Sequence, residues 1–401
     1  MMIKAIIMAG GYGARFWPKS RKNIPKQILE INSNKPMIVD TVERLKPLVK
    51  YEDLYVSTSK DMGKHIKGIL PKEVNYVLEP MGKGTAAAIG LSAITMLDKD
   101  PEAVMFIETA DHVYNDVDAY LTHIREAVEV AREGSIVLIG IKPTHPHTGL
   151  GYIKHGTTVK EDGIRIYNVL SFKEKPDLET AKKFLHEGTY LWNSGMFIAK
   201  ASAMLDEIQK YMPRVHEGLM KIKASKFDEN VIKEEFKKFP SLSIDYGVME
   251  KSLNTVVLEG NFHWDDIGDW QAMDRLFGKD ENGNVVKASY EGNAKNSIIF
   301  SDRRKIKAVD VEDLIIVDTE DCLLVCAKDR AQDVRKVVDM LEQDKELTQY
   351  CEDMVKNYAT NVIEIEGSDC EVRGKGIIAS VGVSGILINR GKDDVLIEAK
   401  K

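Results

Sequence analysis

IKAIIMAGGYGARFWPKSRKNIPKQIL, residues 3–29, runs from an almost wholly apolar segment straight into a glycine-rich turn. The apolar part, 3–9, is interrupted only by Lys4 and has the length and texture of a strand buried on both faces of a parallel sheet. The glycines behind it let the backbone turn tightly and aim its N–H groups at an anion, with Arg15 and Lys26 close in sequence to add positive charge. This is the chemistry of a phosphate cradle. No Gly-Lys-Ser/Thr closes the run, so it is not a P-loop, and Phe16 stands where a dinucleotide fingerprint needs its third glycine.

The same texture recurs outward from this stretch. Runs 54–58, 104–107 and 136–141 are again apolar and of strand length, and 37–48, 85–97 and 117–131 between them have helical spacing. Alternation of this kind predicts an open, mostly parallel, Rossmann-like α/β sheet flanked by helices. Ligands of such sheets bind at the carboxyl ends of the strands. From about residue 268 the pattern shifts: 271–277 reads as a helix, and short strand-like runs separated by Asn, Asp and Gly follow from 298. We therefore expect a catalytic domain over 1–280 and a smaller β-rich, short β-helix-like domain over 281–401. Within the latter, VEDLIIVDTEDCLLVCAK (311–328) matches VSGILINRGKDDVLIEAK (383–400) without a gap, and a charged helical connector, 331–354, lies between the copies.

Composition narrows the function classes. A chain of 401 residues, 43% hydrophobic and 30% charged, can bury more than one core, and no apolar run reaches the roughly 18 residues of a membrane span. The net charge of −7 speaks against nucleic acid as a partner but leaves room for small phosphorylated ligands. Lys4 inside an apolar segment that leads into a glycine loop is the wrong arrangement for a signal peptide, so a cytoplasmic address is expected. The four cysteines lack zinc-ligand spacing and read as reduced thiols. Asp111 follows the 104–107 run, at the sheet rim where a hard oxygen ligand suits magnesium held between a carboxylate and substrate phosphates.

The motif GGxGxRxxP followed by Pro25-Lys26 resembles the signature of the sugar-nucleotide pyrophosphorylases, and the form GARFWPKSR with PKQIL is most similar to the mannose-1-phosphate guanylyltransferase family. The likeness continues in order through EPMGKGTAAAI (79–89), ADH (110–112), GYI (151–153), FKEKP (172–176), WNSGMF (192–197), SIDYGVME (243–250), WDDIGDW (264–270) and DRAQDV (329–334), covering roughly residues 1–345. It departs from the pattern at Thr109, where the family has proline before ADH.

The resemblance implies guanylyl transfer from GTP to mannose 1-phosphate, with GDP-mannose and pyrophosphate as products. It further implies a magnesium ion on Asp111 and Asp266, with Arg15 and Lys26 as the catalytic cations. Nucleotide contacts would fall to Ala9, Gly10, Gly11, Gly13, Glu79, Pro80, Gly84, Thr85 and Ala86. Sugar-phosphate contacts would fall to Gly151, Tyr152, Glu174, Lys175, Asn193 and Asp245. A homodimer is the family's expectation. Read without the resemblance, Thr85 is the N-cap of a helix, Asp265 a solvated neighbour of Asp266, and His112 a structural residue. UDP- or dTDP-glucose synthesis is the alternative within the class, and a non-catalytic nucleotide-sugar sensor the alternative outside it. The segment after Asp344 contains no histidine and is too short for a metal-binding isomerase domain.

Overall fold

The computed structural model describes residues 3–161, 163–355 and 361–400 and divides the chain into two units. One comprises Met1–Gly10 and Ile38–Asp265, the other Gly11–Met37 and Asp266–Lys401.

The first unit contains β1 (Ile3–Met8), β2 (Leu54–Ser59), β3 (Asn75–Glu79), β4 (Val104–Thr109), β5 (His112–Tyr114), β6 (Ile136–Ile141), β7 (Gly151–Glu161), β8 (Arg165–Lys173), β9 (Tyr190–Lys200) and β10 (Thr255–Gly260), and ends within β11 (Trp264–Asp266). Nine of these form one sheet in the order β3-β2-β1-β4-β9-β6-β10-β8-β7, and β5 pairs with β11 apart from it. In the large sheet β1, β2, β3, β4, β6, β7 and β10 run one way, with β8 and β9 reversed. The apolar runs at 3–9, 54–58, 104–107 and 136–141 are thus β1, β2, β4 and β6, continuous because helices cover both faces. On one face the helix Thr85–Lys99 packs against the helices Ala201–Tyr211 and Pro213–Ala224. Gly90 permits this approach, since a methyl there would lie 2.5 Å from Leu219. The helix Val117–Arg132 packs on β4, β6, β9 and β10.

The second unit holds β12 (Val285–Lys287), β13 (Tyr290–Gly292), β14 (Ile298–Ser301), β15 (Lys305–Val309), β16 (Leu314–Asp318), β17 (Cys322–Ala327), β18 (Asn361–Ile365), β19 (Glu371–Gly374), β20 (Ile377–Val381), β21 (Ile386–Arg390) and β22 (Asp394–Ala399). They form two sheets, β12-β14-β16-β17-β20-β18 and β13-β15-β22-β21-β19, between which the early strands alternate as in a β-helix. One winding takes 17 residues: Ile298 pairs with Ile315, and Asn293 and Asn296 reach Asp310 and Asp313, each 17 positions on. The two repeat copies are the antiparallel hairpins β16–β17 and β21–β22. Leu314 faces Ala327 in one and Ile386 faces Ala399 in the other, so both partners shift by 72 residues (386 − 314 and 399 − 327). Ile316, Leu323 and Val325 share one core with Ile388, Val395 and Ile397. Residues 11–37 belong to this unit, and the connector folds as the helices Val334–Gln343 and Gln349–Glu352.

Candidate active site

The division of the chain runs through the candidate residues. Gly11, Gly13, Arg15, Lys26 and Asp266 lie in the second unit, and all the others in the first.

In the second unit the glycine turn closes on its own cation. Gly13 has φ +78°, and a Cβ there would meet the Lys26 Cβ at 2.5 Å, so only glycine lets the lysine pass. The Lys26 amide donates to Tyr12 O at 3.0 Å and Gln27 Nε2 to Gly11 O at 2.8 Å, which fixes the turn's outline. Lys26 is buried, its ammonium 5.1 Å from the Phe16 ring centre and hydrogen-bonded to Ile267 O. Arg15 sits half-buried in the short helical turn Ala14–Phe16.

In the first unit Ala9 spends its backbone on the sheet, its amide donating to Ser57 O at 2.9 Å and its carbonyl accepting from the Thr58 hydroxyl at 2.7 Å. Glu79 ends β3 in a buried position, and burial lifts its carboxyl to about 7. The next helix begins differently from the sequence expectation. Its N-cap is Gly84, and Thr85 is already helical. The Thr85 hydroxyl instead accepts from the Ile244 amide at 2.9 Å, while the Ala86 amide donates to Leu242 O at 3.3 Å and the Leu242 amide to Lys83 O at 3.1 Å. Segment 242–244 lies against the 83–86 turn and takes the hydroxyl a cap would have used.

Asp111 occupies the two-residue turn between β4 and β5, and the Ala110 amide ties that turn to Met8 O at 3.1 Å. Beneath it Glu108 is almost fully buried and accepts from Arg44 and from the Tyr120 hydroxyl, each at 2.8 Å. These bonds satisfy both oxygens of the buried carboxylate and tie the end of β4 to Arg44 and to the helix Val117–Arg132. His112 is buried edge-on against Trp264, ring centres 5.2 Å apart. Asp265, expected in solvent, is buried as well, because β11 pairs with the wholly buried β5 and is carried inward with it.

The sugar-phosphate candidates, by contrast, converge within one unit. Gly151 and Asn193 are direct partners across β7 and β9 and share a face. A Cβ on Gly151 would stand 2.5 Å from Glu174 Oε2 and 3.2 Å from the Asn193 Cβ, so glycine leaves the space in which these two side chains meet. Asn193 Nδ2 donates to Asp245 Oδ1 at 3.0 Å, and Asp245 opens a π-helical turn, Asp245–Met249, of a kind frequent at functional sites. Lys175, at φ +44°, brings its ammonium 3.1 Å from Glu174 Oε1. Glu174 Oε2 is buried without a hydrogen-bond partner, an open acceptor of the sort a hydroxyl-bearing ligand satisfies. Burial, then the neighbouring Asp245 charge, raises the Glu174 carboxyl, and burial raises Asp245 too. Tyr152 is not brought to this group. It pairs with Trp192 on the opposite face, and its hydroxyl accepts from the His147 amide at 2.9 Å. Glu250 was missed in the sequence although it closes the SIDYGVME string: its carboxylate accepts the Glu174 amide at 2.9 Å and orients the residue.

This geometry is accompanied by clear kinship. Residues 4–283 match the family described as Nucleotidyl transferase, and residues 291–341 the MannoseP isomerase/GMP-like beta-helix domain. The chain is 36% identical over 352 residues to a mannose-1-phosphate guanylyltransferase of Klebsiella pneumoniae, covering 86% of this chain and 75% of that one. To mannose-1-phosphate guanylyltransferase RfbM of Salmonella typhimurium it is 37% identical over 354 residues, covering 86% and 73%. A solved structure from Thermus thermophilus, named a mannose-1-phosphate geranyltransferase, superposes with a TM-score of 0.78 at 34% identity, covering 85% of this chain and all of that one. The chain therefore belongs to the mannose-1-phosphate guanylyltransferase family of nucleotidyltransferases.

Proposed function

We infer that the protein transfers the guanylyl group of GTP to mannose 1-phosphate, releasing pyrophosphate and forming GDP-mannose. The observation that carries the chemistry is the group Gly151, Glu174, Lys175, Asn193 and Asp245. One cation stands beside several acceptors there, and an unpartnered carboxylate oxygen is among them, which suits a ligand with one phosphate and many hydroxyls. The choice of guanine and mannose over other pairs rests on the kinship.

In this reading an oxygen of the sugar phosphate attacks the α-phosphorus in line as pyrophosphate leaves. The nucleophile is already an anion, so positioning and charge neutralisation replace a general base. Lys175 holds the sugar phosphate and Glu174 takes hydrogen bonds from sugar hydroxyls, with Asn193 held by Asp245. The glycine turn presents its amides to the triphosphate, and Arg15 and Lys26 neutralise charge on it and on the departing pyrophosphate. Asp111 in the turn after β4 and Asp266 at the end of β11 each offer one carboxylate. These two hard oxygen donors fit magnesium, which when bound supplies charge neutralisation on the phosphates. A cytoplasmic homodimer belongs to the same reading, and among the described residues no helix is long and apolar enough to cross a membrane.

The deciding experiment measures pyrophosphate release with magnesium, crossing GTP, UTP, dTTP and ATP with mannose 1-phosphate and glucose 1-phosphate. Fastest turnover with GTP and mannose 1-phosphate supports the assignment. A different best pair keeps the reaction class and overturns the substrates, and no release from any pair overturns catalysis.

A further inference from the structure

Three arginines from distant parts of the second unit, all buried, converge on one turn of the first repeat copy, residues 318–321. Arg304 and Arg390 both bond Asp318 and the carbonyls of Thr319 and Glu320. The third is Arg21, from the glycine-turn segment itself. Its guanidinium is completely shielded from solvent and meets Asp321 with two parallel bonds, Nη2 to Oδ1 at 2.9 Å and Nη1 to Oδ2 at 3.2 Å. The same fork donates to the carbonyls of Tyr350 and, at 3.2 Å, Asp353 on the connector, and Nε donates to Pro18 O at 2.7 Å. Asp321 is held in turn by the Thr319 hydroxyl at 3.1 Å and the Val355 amide at 3.0 Å.

From Arg21 the fastening passes back to the cradle through short, local bonds. The Arg21 amide donates to Ile24 O at 2.8 Å, the Ser20 amide to Phe16 O at 3.1 Å, and the Ser20 hydroxyl and Phe16 amide both to Gly13 O, at 2.6 and 2.8 Å. Flanking bonds run in parallel: Trp17 Nε1 to Tyr350 O at 3.2 Å, the Lys22 amide to Cys351 O at 2.8 Å and the Asn23 amide to Glu352 O at 2.9 Å.

We propose that Arg21 is a positioning residue for the triphosphate: by locking residues 16–23 onto Asp321 and the connector, it fixes where Gly13, Arg15 and Lys26 stand. This rests on the function proposed above. The physical case is that a buried ion pair contributes little net stability over an apolar replacement, whereas the planar fork of an arginine fixes geometry in a way neither lysine nor an apolar side chain can. Displacing a binding group by about an ångström can lower a rate by about a hundredfold.

The test uses the full chain with two replacements, Arg21→Lys, which keeps the charge and loses the fork, and Arg21→Met/Asp321→Leu, which removes both charges and fills the space. Calorimetry reads MgGTP binding directly, steady-state kinetics gives kcat and both KM values, and thermal unfolding reports stability. We expect both variants to fold, to bind MgGTP about tenfold or more weakly, and to lose kcat, with the KM for mannose 1-phosphate within about twofold of the parent. A stable double variant with parental GTP binding and kcat would overturn the proposal, as would equal losses for both substrates or failure of both variants to fold. If the parent binds MgGTP but turns over no substrate pair, the function reading fails while the binding comparison still decides the role of Arg21.

Discussion

Asp318 and Arg390 hold the same position in the two repeat copies, 72 residues apart, and they bond to each other: Arg390 Nε donates to Asp318 Oδ1 at 2.9 Å with both side chains about 1% exposed. The copies have thus diverged at one site into complementary charges that join them. Asp318 also receives Arg304 Nη1, at 3.1 and 3.3 Å. The two ends of the pair should therefore differ in cost. Asp318→Leu strands two buried guanidinium groups and should lose about 3–5 kcal/mol. Arg390→Met leaves Asp318 paired to Arg304 and should lose about 1–3 kcal/mol. Urea unfolding followed by tryptophan fluorescence checks the order, and equal losses would mean that Arg304 does not compensate.

A pH profile should expose Glu174. Burial and the neighbouring Asp245 carboxylate raise its carboxyl to about 7, so the charged form that best accepts sugar hydroxyls fills only as the pH rises through that value. We expect kcat/KM for mannose 1-phosphate to climb between about pH 6 and 8. In Glu174→Gln the ascending limb should flatten and the plateau fall about tenfold or more. The phosphate of the substrate titrates near 6 in both proteins, so the difference between the profiles isolates the residue. An unchanged limb in the variant would assign the titration elsewhere.

Much of the sheet was legible because burial on both faces leaves a plain mark. β1, β2, β4 and β6 are nearly unbroken apolar runs, and the helix Thr85–Lys99 is apolar nearly all round, with residues 86–94 and Met96 buried. β9 carries no such mark, since Asn193, Ser194 and Gly195 interrupt it where it faces the sugar candidates, and its antiparallel insertion between β4 and β6 is set by long-range pairing alone. Nor does anything in KSRKN separate the fully buried Arg21 from half-buried Lys19 and Lys22. Its ion-pair partner, Asp321, lies 300 positions away, beyond the reach of any local pattern. The motif strings marked where the sugar candidates would gather, but not that Thr85 would leave its cap to bond Ile244 or that Glu250 would hold the Glu174 amide.

The two carboxylates assigned to magnesium make a sharp pair of substitutions. Asp111→Asn keeps the size of the side chain in the turn before β5 but removes its charge, and it should lower kcat by about a hundredfold or more. The deficit should shrink as magnesium is raised or replaced by manganese, if weakened metal binding is the cause. Asp266→Asn should behave alike. Near-parental turnover of either variant at ordinary magnesium would remove that residue from the metal site, and circular dichroism checks that the fold is retained.

Gly151→Ala tests whether the sugar candidates form one site. The added methyl would fall 2.5 Å from Glu174 Oε2, closer than such atoms approach, and a tight 3.2 Å from both the Asn193 Cβ and Phe172 Cζ, so Glu174 must swing away. That movement should disturb its salt bridge to Lys175, while the partners of the glycine turn, Gly13 with Lys26 and Gln27 with Gly11, are untouched. The KM for mannose 1-phosphate should rise about tenfold or more, with MgGTP binding unchanged by calorimetry. A matched rise for both substrates would mean that Gly151 serves the fold of β7, and no rise for either would place the sugar phosphate away from Glu174.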